Sequence, residues 1–309
     1  MQKVLVTGGA GFIGANLVRR LLADGCEVTV LDNFYSGRRC NLENLNGNWH
    51  LLEADVADFQ TNQRFDAIYH LACPASPPFY QKKPLFTTRT CVEGTWRMLE
   101  LATESRCPLL ISSTSEVYGD PLVHPQNEEY RGNVNCTGIR SCYDEGKRCA
   151  ESIAFDFVRT WNTQVKVVRI FNTYGPYMRA DDGRVISNFI NQALRNEPIS
   201  VYGDGTQTRS ICFVEDLLNG FLKMMASPKE FHGPINLGTP CEETVKDLAL
   251  RIIRLTGSKS ELVFRPLPVD DPKRRRPDIT LAGKILSWKP EIPLDEGLKH
   301  TIDYYRSCL

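Results

Sequence analysis

Two short stretches hold residues that could do chemistry together. In C-Y-D-E-G-K, Tyr143 and Lys147 stand four positions apart. On a helix that spacing puts them on one face, about one turn from each other. A phenol with a reference pKa near 10 is a poor base at neutral pH, but a neighbouring ammonium, or the positive charge of an oxidised nicotinamide, favours the phenolate. Such a tyrosine can take a hydroxyl proton while hydride leaves the same carbon. The second stretch, S-T-S-E-V-Y-G-D, follows the apolar run Leu109, Leu110, Ile111. It sets Thr114, Ser115 and Glu116 where a buried strand runs out into a loop. Alone, Y-x-x-x-K is a common solvated helix face, and Ser115 with Glu116 could simply cap a turn.

The N-terminus supplies the context. Residues 7–14 read T-G-G-A-G-F-I-G, so Gly8, Gly11 and Gly14 follow a strand and open a helix. Gly8 allows the tight turn, Gly11 lets backbone approach a pyrophosphate, and Gly14 lets the helix pack on the strand. The helix N-terminus offers unpaired N–H groups to the phosphates. The next strand ends V-T-V-L-D-N, placing Asp32 18 residues after Gly14. A carboxylate there accepts hydrogen bonds from an adenosine ribose and repels a 2′-phosphate, so NAD is expected rather than NADP.

These residues must be positioned by an α/β framework. Lys3–Val6, Val28–Leu31, Ala67–Leu71, Leu109–Ile111 and Val165–Ile170 read as strands; Phe12–Ala23, Leu85–Thr103 and Tyr143–Thr160 read as helices. The alternation predicts a Rossmann-type, doubly wound parallel sheet covered on both faces. After about residue 175 Gly and Pro become frequent, with helices near Val185–Arg195, Glu215–Met225, Thr244–Leu255 and Leu294–Tyr305. The expected division is a dinucleotide-binding domain over 1–175, with some later segments returning to it, and a smaller C-terminal substrate-binding lobe over 176–309.

The chain has 309 residues, with 37 Lys plus Arg against 37 Asp plus Glu, so its net charge is zero. That balance argues against a nucleic-acid or membrane-surface partner. The chain enters a strand at once and has no apolar run near the ~20 residues a bilayer requires, so a cytoplasmic protein is expected. The eleven cysteines and five histidines form no zinc-type spacing, so no metal is expected, and the thiols read as reduced, many of them buried.

The glycine pattern, S-T-S-E-V-Y-G-D, Y-x-x-x-K and R-I-F-N-T-Y-G-P together resemble the extended short-chain dehydrogenase/reductase family. Within it the chain is similar to the branch of UDP-glucuronate decarboxylases. The matching segments are P-A-S-P-P (74–78), S-T-S-E-V-Y-G-D-P (113–121), V-H-P-Q (123–126), R-S-C-Y-D-E-G-K-R (140–148), D-G-R-V-I-S-N-F (182–189) and R-R-P-D-I (275–279).

The resemblance implies a site residue by residue. The reacting groups are Tyr143, Lys147, Thr114, Ser115, Glu116 and Arg275. NAD is met by Gly8, Gly11, Phe12, Ile13 and Gly14, by Asp32, Asn33, Ser36 and Gly37, and by Asp55 and Val56. Leu71, Ala72, Thr87 and Thr173 complete its pocket with Tyr143 and Lys147. UDP-glucuronate is met by Pro74, Ser76, Asn172, Arg184, Arg209 and Arg275. Of the charge run holding Arg274, Arg275 and Arg276, the resemblance selects Arg275, a bidentate donor for carboxylate or phosphate; the other two read as a solvated loop. A homodimer is implied, with the helices over 85–103 and 143–160 pairing into a four-helix interface. Two positions depart from the family. Its N-x-x-G-T appears as Cys91-Val92-Glu93-Gly94-Thr95, and its G-P-R as Gly175-Pro176-Tyr177, with Arg179 two residues on.

The triad Thr114-Ser115-Glu116 speaks to the reaction. Family members begin by oxidising C4 of a nucleotide-bound sugar. A 4,6-dehydratase then needs an acid to expel the C6 hydroxyl and carries T-D-E; here the middle residue is Ser115. A 4-epimerase has no acid at that place. Loss of CO₂ from a β-keto acid needs only a donor at the developing enolate oxygen and a hold on the ring. The expectation is decarboxylation to UDP-xylose with retained NADH re-reducing the ketone. Release of the 4-keto pentose with NADH, a 4-epimerase or dehydratase, and a non-catalytic NAD sensor remain alternatives.

Overall fold

In the computed structural model of the chain, which describes residues 1–266 and 275–309, seven parallel strands form one sheet. They are β1 (Lys3–Thr7), β2 (Glu27–Asp32), β3 (Trp49–Glu53), β4 (Ala67–His70), β5 (Leu109–Thr114), β6 (Val165–Ile170) and a strand at Ile235–Leu237. Their spatial order is Ile235–Leu237, β6, β5, β4, β1, β2, β3. After the β3 edge the chain crosses back to place β4 beside β1, in register Val4 to Ala67 through Thr7 to His70. A crevice opens at such a switch point, outside the carboxyl ends of the strands.

The central strands are buried along their length, because both faces are covered. Leu5, Ile68, Leu109 and Ile111 belong to a core shared with Met98, Leu99, Ala154 and Phe157. These come from α4 (Thr95–Ser105) and α5 (Ser141–Trp161). The alternate residues Val4, Val6, Tyr69 and Leu110 face α1 (Phe12–Ala23) and α7 (Val214–Met225), in a cluster with Leu17, Leu217 and Phe221. That second cluster runs on without a break into Ile190 of α6 (Val185–Leu194) and Leu248 of α8 (Val245–Thr256). In this region Ile199–Tyr202 pairs in parallel with Leu262–Arg265. The strand Ile235–Leu237 lies late in the sequence but pairs with β6 in the main sheet.

Two details differ from the sequence expectation. The edge strand β3, only half-buried, has no clear alternating pattern and was not anticipated. The helix expected over Leu85–Thr103 is interrupted: α2 (Pro77–Tyr80) and α3 (Pro84–Arg89) precede a wider π turn at Thr90–Gly94, and only then does α4 begin. A π turn adds a residue to the helical circuit, so the faces before and after it are out of step. Among the cysteines, Cys26, Cys91, Cys107 and Cys212 are buried, Cys73 and Cys142 half-buried, and Cys40, Cys136, Cys149, Cys241 and Cys308 exposed.

Candidate active site

The crevice is a cleft of about 810 Å³. Gly8, at φ +71°, lies so close to the segment after β4 that a Cβ would sit 2.8 Å from the Ala72 nitrogen, and a Cβ on Gly14 would sit 2.1 Å from the Gly8 carbonyl oxygen. The loop is therefore a bare backbone cradle at the start of α1. Gly8, Gly11, Phe12, Ile13 and Gly14 line the cleft, followed by Asp32, Asn33, Ser36 and Gly37, then Val56, Leu71, Ala72 and Thr173. The Asp32 carboxylate accepts from the Ala10 and Phe34 amides at 2.9 and 2.8 Å. Burial pushes its pKa up against those bonds. Its remaining lone pairs suit a ribose diol, so the cradle and this acid together fit a dinucleotide.

Two expected cofactor positions fall elsewhere. Thr87 is buried and donates to the carbonyls of Tyr80 and Lys83; Thr90, at the start of the π turn, lines the cleft in its place. Asp55 is not among the residues lining the cleft and accepts from the Asn33 amide at 2.9 Å.

At the other end of the cleft α5 presents Tyr143 and Lys147, both buried. Lys147 Nζ donates to the Ser112 carbonyl at 2.7 Å and lies 6.0 Å from the Tyr143 ring centre. Thr114, at the end of β5, hydrogen-bonds the Tyr143 hydroxyl, but burial dominates and, with the nearby Cys73 sulfur adding to it, holds the phenol well above its ordinary range. The tyrosine is protonated in the free chain, so a phenolate requires further positive charge in the cleft. The Tyr80 ring stacks on Tyr143 at 5.1 Å, nearly parallel at 6°. It is delivered by the P-A-S-P-P loop, of which Pro74 and Ser76 also line the cleft.

Glu116 is clasped by two arginines. Arg140 donates to it at 2.5 Å, and Arg275 closes an ion pair from the other side. Burial opposes its ionisation, but the charges of Arg275 and Arg140 outweigh burial and hold the carboxyl below its usual range. Arg275 also donates to Ser115 Oγ at 3.3 Å and the Gly119 carbonyl at 2.8 Å. Gln126 explains how Arg275 arrives. Its backbone N–H donates to the Arg276 carbonyl, its carbonyl accepts from Asp278 N–H, and its side-chain oxygen accepts from Arg276 N–H. The segments resembling V-H-P-Q and R-R-P-D-I thus form one clasp. Arg276 turns outward to Glu242 at 3.6 Å; Arg274 lies outside the described residues.

Asn172, Arg184 and Arg209 also line the cleft. Arg184 is held by Asp182 at 2.5 and 3.0 Å, and Arg209 donates to the Thr208 carbonyl at 2.8 Å. The Tyr177 departure is structural: its ring lies under the Arg19 guanidinium at 4.0 Å and beside Tyr304. Arg179 lines the cleft but pairs with Asp181. The other departure, Cys91, is buried with its sulfur 3.2 Å from that of Cys73. Sequence reasoning missed Arg140, Tyr80 and Thr90. Arg140 opens a matched segment and Tyr80 follows another, but nothing local ties either to Glu116 or Tyr143.

A dinucleotide cradle facing a Tyr–Lys pair across the switch point of a parallel sheet defines a nicotinamide-dependent enzyme of the short-chain dehydrogenase/reductase type. The chain belongs to the NAD dependent epimerase/dehydratase family, whose profile matches residues 4–238. It is 49% identical over 306 residues to UDP-glucuronic acid decarboxylase 1 of Danio rerio, covering 98% of this chain and 72% of that one. Among solved structures it resembles the UDP-glucose 4-epimerase of Thermotoga maritima with UDP-glucose, at TM-score 0.91, 30% identity and 99% coverage of both chains. It also resembles the UDP-glucuronic acid 4-epimerase of Bacillus cereus in complex with UDP-glucuronic acid and NAD, at TM-score 0.88 and 25% identity, covering 99% of this chain and 100% of that one.

Proposed function

We infer that the protein is an NAD-dependent UDP-glucuronate decarboxylase that yields UDP-xylose. The observation that carries this reading is the state of the triad at the end of β5. Ser115 cannot act as a carboxylic acid, and Glu116 is ionised between Arg140 and Arg275. An elimination at C6 finds no proton donor there, whereas loss of CO₂ asks for none. The chain's 49% identity to a decarboxylase, against 30% or less to the epimerases above, supports the same choice.

NAD, when bound, supplies the acceptor for the C4 hydride and its later return. Gly8, Gly11 and Gly14 would hold its pyrophosphate and Asp32 its ribose. Tyr143 takes the C4 hydroxyl proton, assisted by the fixed charge of Lys147. Once C4 is a ketone, the C6 carboxylate stands β to it, and the bond to CO₂ breaks with its electrons moving into the carbonyl. Tyr143 and Thr114 donate to the developing enolate oxygen, where preorganised donors act most strongly. Ser115 and Glu116 steady the ring or hold the water that protonates C5. Asn172, Arg184 and Arg209 receive the nucleoside diphosphate end, and Arg275 keeps one donor, Nε, without a partner among the described residues. Redox balances over the cycle, so the cofactor stays and is reused.

The experiment is incubation with UDP-glucuronate, measuring CO₂ and identifying the nucleotide sugar with and without added NAD⁺. UDP-xylose and CO₂ without net NADH is the expected result. NADH accumulating in step with CO₂ would replace this reading with release of the 4-keto pentose, and no CO₂ at all would overturn it. The enzyme works as a homodimer joined through α4 and α5, whose Trp96 and Trp161 stay exposed on the single chain; light scattering giving a monomer mass would refute that assembly.

A further inference from the structure

Two neighbouring thiols, one lining the cleft and one behind it, have no use in the reaction. Cys73 directly follows Ala72 at the mouth of the switch point and lines the cleft. Cys91 lies behind it in the π turn, almost wholly buried. Their sulfurs are 3.2 Å apart and share a hydrogen bond. Cys91 also packs on the catalytic helix: a Cβ on Gly146, between Tyr143 and Lys147, would meet Cys91 Cβ at 3.0 Å and Sγ at 3.1 Å. At this position the resembled pattern N-x-x-G-T has an amide, so the second sulfur is a feature of this chain. Burial works against a charge on Cys73, but the hydrogen bond from Cys91 and the charge of Lys147 outweigh it and hold that thiol below its ordinary value. The hydrogen bond with Cys73, then burial, pushes Cys91 up. The half-buried, cleft-lining Cys73 sulfur is thus the nucleophile and Cys91 its resolving partner.

We propose that Cys73 and Cys91 form a peroxide-responsive dithiol that closes into a disulfide across the catalytic end of the cleft and arrests turnover. The Cys73 thiolate attacks one oxygen of hydrogen peroxide; the O–O bond breaks, leaving a sulfenic acid on Cys73 and hydroxide, which takes up the proton Cys73 has lost. Cys91 then attacks the Cys73 sulfur. The S–S bond forms as the S–O bond breaks, and the oxygen leaves as water with the Cys91 proton. Two thiols lose two electrons and one peroxide becomes two waters. Bonding draws the sulfurs from 3.2 Å to about 2.05 Å. That contraction falls on the loop carrying Pro74, Ser76 and Tyr80 and on the turn braced against Gly146. Displacements of about 1 Å at a reacting centre can cost on the order of a hundredfold in rate.

The arrest of turnover rests on the decarboxylase reading; bond formation does not, and the test keeps them apart. The NAD-loaded protein is titrated with hydrogen peroxide and split in two, one half quenched with N-ethylmaleimide for peptide mass spectrometry and the other freed of peroxide with catalase and assayed for CO₂ release. A Cys73–Cys91 peptide pair ~2 Da lighter than its thiols should appear as CO₂ release falls at least about tenfold, and dithiothreitol should reverse both. In Cys91→Ser and Cys91→Asn the reversible loss should vanish and a sulfenic acid on Cys73 should be trapped by dimedone. Recovery of both residues as alkylated thiols after peroxide would overturn the proposal, as would a cross-linked protein of unchanged turnover. No CO₂ from the reduced protein would count against the decarboxylase reading, and the peptide masses would still judge the disulfide.

Discussion

Tyr143 illustrates how the resting protein differs from the working one. Burial keeps its phenol protonated in the free chain, so its activation is conditional on charge brought into the cleft. Phenolate absorbance that vanishes in Tyr143→Phe should therefore appear at lower pH with NAD⁺ bound than with NADH bound; identical titrations would refute conditional activation. Tyr143→Phe should lower decarboxylation by about 10²–10⁴-fold, the usual contribution of a positioned acid or base, while NAD stays bound; a smaller drop in the CO₂ assay would move the proton transfer elsewhere. Asp144, its neighbour, is raised from 3.8 to about 7 by burial and then by the charge of Glu116. Between those values the unfolded chain has released a proton that the folded chain keeps, so the stability this group contributes is lost as pH rises toward 7. Asp144→Asn should melt above the wild type by a margin that is small near pH 4 and widens to pH 8, and calorimetry at both values checks the sign. The glycines, Asp32, Tyr143 and Lys147 were legible because each belongs to a pattern spanning a few residues. Arg140 was not, since its meaning depends on a fold that brings it 24 positions back to Glu116.

Among elements, the π turn at Thr90–Gly94 interrupts the single helix expected over Leu85–Thr103. The resemblance puts a cofactor contact at Thr87; in the structure Thr90, at the start of this turn, lines the cleft, and the turn backs Cys91 against α5. Helical periodicity in a sequence carries no mark of an inserted residue. The clasp at Gln126 was equally hidden, because matching two distant segments to a family does not say that they touch. Gln126 is fully buried, and Gln126→Ala leaves the Arg276 amide unanswered at a cost of about 1–3 kcal/mol. With Arg275 set loose from Glu116, kcat should fall with NAD affinity unchanged, as read by steady-state kinetics beside NADH fluorescence titration. A fall in cofactor affinity of the same size would mean the clasp supports the whole fold instead.

Over the whole molecule, one continuous apolar cluster joins one face of the sheet to the region of α6 and α8, while the cleft takes its walls from positions as far apart as Gly8 and Arg275. The parallel sheet followed from strand–helix alternation, whereas neither the order of its strands nor which late segment, Ile235–Leu237, returns to its edge carried a local mark. Because ligand binds only the folded form, saturating NAD should raise the unfolding free energy by about 2.7 kcal/mol at a hundredfold excess over Kd. A melting temperature that ignores NAD in stripped protein would contradict the cradle. The clasp between Gln126 and the segment after residue 275 also bears on biosynthesis. A nascent polypeptide can complete the first six strands and the glycine cradle while the ribosome still holds Arg275. In such a fragment Glu116 would be answered by Arg140 alone, so competence for sugar chemistry waits on the C-terminal segment.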